Sequence, residues 1–255
     1  MAYSGGKDSD TILQLVREAG IPYRAIYKNT TIDPPGTIRH AREMGVEVVS
    51  PKQTFFQIIE QKGYMSRIRR TCCQILKEYK ILDRCVIGVR RDESKARNER
   101  YKEPTQCLYY GKKKLPENRV GAIYPILDWT SNDVAEFLQD RGITCAPVYY
   151  DEQGRFHVER RLGCIGCPLI YKKKRLAELK QHPYMVKALL RAGKRYRELH
   201  PKNKATQMYA DEYEYFFRNY FFEAEADFAD FADCIFGRPD YKQILEEFFG
   251  LDLTI

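Results

Sequence analysis

Six consecutive residues, Ser4-Gly5-Gly6-Lys7-Asp8-Ser9, limit what this chain can fold into more than any other stretch. They follow Ala2-Tyr3 and run straight into Thr11-Ile12-Leu13-Gln14-Leu15-Val16, whose apolar residues fall at helical spacing. That is a strand, a glycine turn and a helix N-terminus. Two glycines let the backbone approach a bound group, and the first helical N–H groups then point at an anion. Lys7 adds a positive charge, and Ser4 and Ser9 add hydroxyl donors. An ordinary Gly-rich turn capped by Asp8 or Ser9 would use the same residues for stability alone. Six adjacent residues that all suit a phosphate favour the binding reading. The spacing is neither G-x-x-x-x-G-K-[ST] nor G-x-G-x-x-G.

From that loop onward, short β-rich runs alternate with helical ones. Tyr23 to Tyr27, Val46 to Val49, Arg84 to Val89 and Ala122 to Ile126 read as strands. Thr37 to Met44, Thr54 to Gln61 and a segment capped by Thr130 or Ser131 read as helices. The alternation predicts a doubly wound, mostly parallel α/β sheet. Ligands in such sheets sit beyond the carboxyl ends of the strands, which places Asn29, Thr30, Thr31 and Asp33 near a nucleotide. The same residues also read as a plain Asp-Pro-Pro-Gly turn before a helix. Only Met1-Ala2-Tyr3 precede the loop, against about five residues for a usual strand. Either the native start lies upstream of Met1 or the sheet centre is thin. Arg97 to Asn118 reads as a mobile loop able to close over substrate. Residues 1–170 form the expected nucleotide-binding domain, and 171–255 a helical region. The aromatic cluster of Tyr213, Tyr215, Phe216, Phe217, Tyr220, Phe221 and Phe222 reads as its packed core.

No apolar run reaches the roughly 18 residues of a membrane span, and no secretory leader is evident, so a cytoplasmic protein is expected. The net charge is +8, unevenly spread. From Gln153 to Lys204 there are fifteen Lys or Arg against three acids, whereas Asp211 to Asp233 holds eight acids and one Arg. This pattern fits a polyanion-binding face, and equally two helical faces that pair with each other.

Eight cysteines in a cytoplasmic chain point away from disulfides. Cys164-Ile165-Gly166-Cys167 is a C-x-x-C loop, and Cys72-Cys73 lies upstream beside Arg67, Arg69 and Arg70. Four thiolates make a tetrahedral set for iron–sulfur or zinc, and basic neighbours would stabilise its negative charge. A structural zinc, a redox disulfide and unrelated buried cysteines are the alternatives. Cys85, Cys107, Cys145 and Cys234 read as structural.

Taken together, these elements resemble the phosphoadenosine-phosphosulfate (PAPS) reductase family of the adenine-nucleotide α-hydrolase superfamily. The matching stretches are Ser4 to Ser9, Asn29 to Gly36, Cys72-Cys73, Gly88 to Ser94, Tyr124 to Thr130 and Cys164 to Pro168. The Ser4–Ser9 loop is similar to that of ATP pyrophosphatases, in which a nucleotide's α-phosphate is attacked and pyrophosphate leaves. The resemblance implies a 4Fe–4S cluster on Cys72, Cys73, Cys164 and Cys167. It also implies ATP with Mg²⁺, held by Ser4, Gly5, Gly6, Lys7, Asp8, Ser9, Thr31, Asp33, Glu93 and Ser94. Lys7, Asp8, Arg90 and Arg91 are the expected catalytic residues. Assimilatory reductases of the family carry a reactive cysteine in a Glu-Cys-Gly-Leu-His tail, and Phe248 to Ile255 contains none. Their phosphate loop is usually degenerate, whereas this one is complete. The expected activity is therefore adenylation of an acceptor with cluster-assisted sulfur transfer. In this it is similar to the sulfur-activating subunit of DNA phosphorothioation systems and to iron–sulfur tRNA thiolases. A sulfonucleotide reductase and a non-catalytic nucleotide or nucleic-acid binding module are the alternatives. The partners this implies are an adenine nucleotide, a sulfur donor such as a cysteine desulfurase, a nucleic-acid acceptor and a second copy of the chain.

Overall fold

A computed structural model describes residues 1–66, 68–78, 85–106, 121–221 and 239–255. Arg67, Arg84, Cys107, Phe222, Cys234 and the stretch 107–118 of the expected mobile loop lie outside the described residues. In chain order the elements begin with β1 (Ala2–Tyr3), α1 (Lys7–Glu18), β2 (Ile26–Lys28), α2 (Thr37–Glu43) and β3 (Glu47–Val49). Then come α3 (Phe55–Lys62), α4 (Thr71–Leu76), β4 (Cys85–Val86), α5 (Lys95–Arg100), β5 (Thr105–Gln106) and β6 (Ala122–Ile123). The remainder is helical: α6 (Ser131–Asp140), α7 (Lys172–Gln181), α8 (Pro183–Leu199), α9 (Lys204–Met208), α10 (Glu212–Phe216) and α11 (Tyr241–Phe249).

The chain forms two compact units with interleaved segments. The first comprises Met1–Asn29, Asp33–Pro51 and Glu78–Gly163; the second comprises Thr30–Ile32, Lys52–Lys77 and Cys164–Ile255. The second unit thus takes α3 and α4 from within the first 170 residues.

The first unit is the expected α/β body. β1, β2 and β3 lie in that order and all run parallel, with Tyr3 opposite Tyr27 and Tyr27 opposite Val48. A second small sheet has the order β4-β6-β5, parallel between β4 and β6 and antiparallel between β6 and β5. The strands are shorter than the sequence pattern suggests: β2 and β3 begin later than expected, and β4 and β6 end earlier. Ile12 and Leu13 of α1 are buried with Tyr3, Tyr27, Ala41, Val46 and Ile126, and Val16 on the same helix is buried too. α6 opens with a capping box in which Thr130 and Asp133 satisfy each other's backbone N–H groups.

The second unit is helical, and its aromatic residues form a core as their density predicts. Phe55, Tyr64, Tyr196, Tyr215, Phe216, Phe217 and Tyr220 are all buried in it. Burying each such ring contributes about 1.5–3 kcal/mol. Gly193 is required here, since a Cβ would lie 2.2 Å from the Tyr64 hydroxyl. That hydroxyl reaches past the glycine to donate to the Leu189 carbonyl at 2.9 Å. The chain from Phe217 to Phe221 continues α10 as a π-helical turn. Lys194 of the basic stretch meets Glu212 of the acidic one at 3.5 Å. No helix among the described residues is long and apolar enough to cross a membrane.

Candidate functional site

In the first unit, the Ser4–Ser9 loop joins the end of β1 to the start of α1. Gly5 sits at φ 77, where a Cβ would come within 2.7 Å of the Thr37 methyl, so both its conformation and its space demand glycine. Gly6 is the N-cap of α1 and gives it no side-chain cap. A Cβ at Gly6 would sit 3.1 Å from the Tyr149 hydroxyl. The loop is braced internally: Ser9 Oγ donates to the Gly6 carbonyl at 2.7 Å, and the Ser4 and Ser9 hydroxyls lie 3.2 Å apart.

Above the loop is a cavity of about 250 Å³ lined by Ser4, Gly6, Lys7, Asp8, Gly88, Glu93, Arg97, Tyr149, Arg161 and Leu162. Lys7 is only 4 % exposed, with Nζ 3.0 Å from Asp8 Oδ2. The other Asp8 oxygen accepts from Arg90 Nε at 2.7 Å. Arg90, 2 % exposed, also reaches Asp92 Oδ2, the Trp129 carbonyl and Ser131 Oγ, each at 3.3 Å. It is a buried strut between the phosphate loop and the start of α6. Glu93 pairs with Arg97 at 2.6 Å, and its carbonyl accepts from Arg161 at 2.7 Å. Burial raises the Glu93 pKa above the ordinary carboxylate value; Arg97 opposes the shift and Asp8 adds to it.

The other expected ligands have different local work. Arg91 turns to Asp128 and to the carbonyls of Tyr101 and Lys102. Ser94 caps α5 by accepting from the Arg97 N–H. Asp33 starts the Pro34-Pro35-Gly36 turn that leads into α2. Thr31 belongs to the second unit, where its hydroxyl accepts the Phe55 N–H at 2.9 Å. Its φ of 66 is the one left-handed value outside glycine among the described residues.

All four candidate cysteine ligands fall in the second unit: Cys72 and Cys73 on α4, Cys164 and Cys167 in the loop before α7. The Cys72 thiol donates to Cys73, which with Arg70 and Lys77 pulls the Cys73 pKa down despite burial. Cys167 interacts electrostatically with Cys72, Cys73 and Cys164. Thr30 Oγ1 lies 3.4 Å from Cys164 Sγ. Among the described residues, no three of His, Cys, Asp and Glu already stand at metal-binding distances. The chemistry of the donor set suits an anionic thiolate cluster: four sulfurs lie in one unit, and Arg70 and Lys77 flank α4 at its two caps, lowering the Cys73 pKa, while burial and neighbouring thiols push Cys72 and Cys167 up.

Several residues escaped the sequence reading. Tyr149, in a short 3₁₀ turn at Pro147–Tyr149, accepts the Lys7 N–H at 3.2 Å and places its ring 5.7 Å from Lys7 Nζ. Arg97 and Arg161 add positive charge to the cavity wall. Asp10 is fully buried, accepting from Tyr3 and lying 3.0 Å from His40 Nε2. Tyr3 and Asp10 flank the six-residue loop directly, so their bond closes its base. A carboxylate on the buried face of α1 was the one signal in sequence that could have revealed this clamp.

A family model described as the phosphoadenosine phosphosulfate reductase domain matches residues 1–170. Among solved structures, the phosphoadenylyl-sulfate (PAPS) reductase of Candida auris, in a phosphate complex, is similar at 14% identity. That similarity covers 64% of this chain and 80% of that one, with a TM-score of 0.42. A search of curated proteins returned no match.

Proposed function

The chain belongs to the phosphoadenosine phosphosulfate reductase domain family, and from that premise we propose that it is an ATP pyrophosphatase-type enzyme that adenylates an acceptor for sulfur transfer. Members of the family are enzymes acting on nucleotides. The observation that carries the finer reading is the complete Ser4–Ser9 loop with Lys7 facing a cavity that two further arginines line. A terminal pyrophosphate concentrates more negative charge than a sulfate ester, and this wall suits it.

In this reading the loop amides and Lys7 hold the pyrophosphate as its charge develops, with Arg97 and Arg161 also lining the cavity. Asp8, fixed between Lys7 and Arg90, orients Lys7. Mg²⁺ fits as a companion of the nucleotide, since it is usually held by one or two carboxylates together with substrate phosphates. Asp8 and Glu93 are the carboxylates in the cavity wall. Tyr149 accepts the Lys7 N–H and so braces the loop from within the cavity wall, leaving Lys7 to act through Nζ. Arg90 balances the charge of Asp8 and holds the loop; Arg91 acts at the surface of the same segment. In the second unit, Cys72, Cys73, Cys164 and Cys167 would hold a 4Fe–4S cluster, which when bound supplies electron or sulfur transfer. A sulfur-donor protein and a nucleic-acid acceptor are the partners such chemistry calls for.

The second reading, a sulfonucleotide reductase, draws on the family itself. One preparation decides between them. With Mg·ATP and an acceptor, pyrophosphate release is expected; with PAPS and a dithiol, no sulfite. Sulfite without pyrophosphate would reverse the ranking. Nucleotide binding with neither product across a panel of acceptors would favour a binding module.

A further inference from the structure

The C-x-x-C loop of the second unit is fixed through the one peptide between its cysteines that carries no side chain. Gly166 sits at φ 63, and a Cβ there would come within 2.8 Å of Leu179 Cδ2. Its N–H donates to Glu178 Oε2 at 3.2 Å, and its carbonyl accepts from the Tyr220 hydroxyl. The preceding Ile165 N–H is taken by the Ile32 carbonyl at 2.8 Å. Tyr220 is 1 % exposed and lies in the π-helical turn, a distortion that costs hydrogen-bond regularity and recurs at functional sites. Arg175 is equally buried; its Nη2 donates to the Tyr220 carbonyl at 2.5 Å and its guanidinium lies 5.1 Å from the Tyr220 ring centroid. The Tyr220 hydroxyl is also within electrostatic reach of Cys72, Cys164 and Cys167. A tyrosine needed only for packing could be a phenylalanine, as its neighbours Phe216, Phe217 and Phe221 are. This one instead spends its hydroxyl on the cysteine loop.

We propose that Tyr220 and Glu178 are positioning residues that clamp Gly166 through its carbonyl and its N–H, holding the peptide groups on both sides of it, and so fix the directions of the Cys164 and Cys167 sulfurs, with Arg175 fixing Tyr220. The proposal deepens the cluster reading and rests on it where the cluster's properties are concerned; the loop clamp itself needs no metal. Without the hydroxyl, the Gly166 carbonyl between the two cysteines loses its donor and its negative end is left uncompensated. Added negative potential beside a cluster makes it harder to reduce, because reduction adds an electron.

The test uses the full chain, purified anaerobically, as wild type, Tyr220→Phe, Glu178→Ala and Glu178→Gln. Iron content and a potentiometric titration followed by electron paramagnetic resonance are measured on the loaded protein. The rate at which thiols react with an aromatic disulfide is measured after chelation. Tyr220→Phe should keep its iron but lower the potential, changing the oxidised-to-reduced ratio at fixed potential about tenfold, or about 59 mV for one electron. In the chelated protein, Tyr220→Phe and Glu178→Ala should both speed the reaction of Cys164 and Cys167 at least fivefold. Glu178→Gln, which keeps an acceptor oxygen, should restore near wild-type rates. Zinc or no metal in fresh wild type would remove the cluster reading and leave the thiol rates to judge the clamp. Potentials and thiol rates within twofold of wild type in Tyr220→Phe and Glu178→Ala would overturn it. If Tyr220→Phe does not accumulate, the contrast between the two Glu178 variants decides.

Discussion

The phosphate loop of the first unit and the cysteine loop of the second solve the same problem with opposite materials. Each is a short turn built on a left-handed glycine, Gly5 at φ 77 and Gly166 at φ 63, and each presents groups suited to charged chemistry. Around Gly5 the supports are ions: Lys7, Asp8 and Arg90 form a chain of contacts at 3.0 and 2.7 Å. Around Gly166 the supports are a buried phenol, a carboxylate and aromatic packing. An ionic frame can exchange a protein partner for a ligand phosphate at little cost, because the desolvation is already met. An aromatic frame cannot make that exchange, but it holds geometry against water and suits a resident group. The difference predicts that the first site is soft toward ligand and the second hard.

The largest expected effect probes the hard site. Any single Cys→Ser change at Cys72, Cys73, Cys164 or Cys167 should bleach the broad absorbance near about 400 nm that is expected of the anaerobic protein. Because metal binding is coupled to folding, hydrogen exchange in α7 and α8 should rise while exchange in α1 stays near wild type. Equal loosening of both units would erase the contrast. Zinc in stoichiometric amount, without iron, in fresh anaerobic wild type would remove its chemical basis.

Next in size is the strut of the soft site. Arg90→Ala leaves Asp8 and Asp92 without their buried partner. Breaking a buried pair costs about 3–5 kcal/mol, and the Lys7 contact that Asp8 retains should hold the loss near the lower figure. Chemical denaturation should show it, together with weaker nucleotide binding. A variant as stable as wild type would mean that the arginine is spare.

The two sites also differ in how they could be read. The phosphate loop is contiguous, so six adjacent letters display its chemistry, its strand and its helix start. Its supports come from residues 90, 97, 149 and 161, and only Arg90 lay within a recognisable run. Tyr149 was hidden because an aromatic residue in a turn opened by a proline looks like packing. The cysteines were legible as donors through the C-x-x-C spacing, but their frame was not. Tyr220 stands among six other aromatic residues from Tyr213 to Phe222, and no local pattern tells a ring that donates a hydrogen bond from one that only fills space. The α/β class was legible from alternation, whereas the passage of Lys52–Lys77 into the helical unit depends on long-range packing of α3 on α8, which periodicity does not encode.

A smaller effect is expected at the ligand itself. Lys7→Ala should weaken Mg·ATP binding by about 1.5–3 kcal/mol, the range for hydrogen bonds to charged groups, with less change in stability. Isothermal titration would measure the first and thermal unfolding the second. Since Asp8 keeps Arg90 after this change, the loop should stay folded. A fall in stability larger than the fall in affinity would make Lys7 a structural ion and not a ligand.

The smallest effect should come from the arginine beside the strut. Arg91 follows Arg90 in sequence and shares its strand end, yet its side chain is 29% exposed and faces Asp128. Its Nε donates to the Tyr101 carbonyl at 2.9 Å, and a second nitrogen reaches the Lys102 carbonyl. Those contacts tie down the segment after α5, and water can replace most of them. An exposed ion pair contributes about 0–1 kcal/mol, so Arg91→Ala should change stability by no more than that and leave nucleotide affinity within about twofold. The pair of variants is therefore more informative than either alone. If Arg91→Ala matched Arg90→Ala in affinity loss, the segment would have to turn over on binding and bring Arg91 to the phosphates. The soft site would then include the whole run from Arg90 to Ser94, and its frame would be remade by the ligand instead of merely lending it contacts.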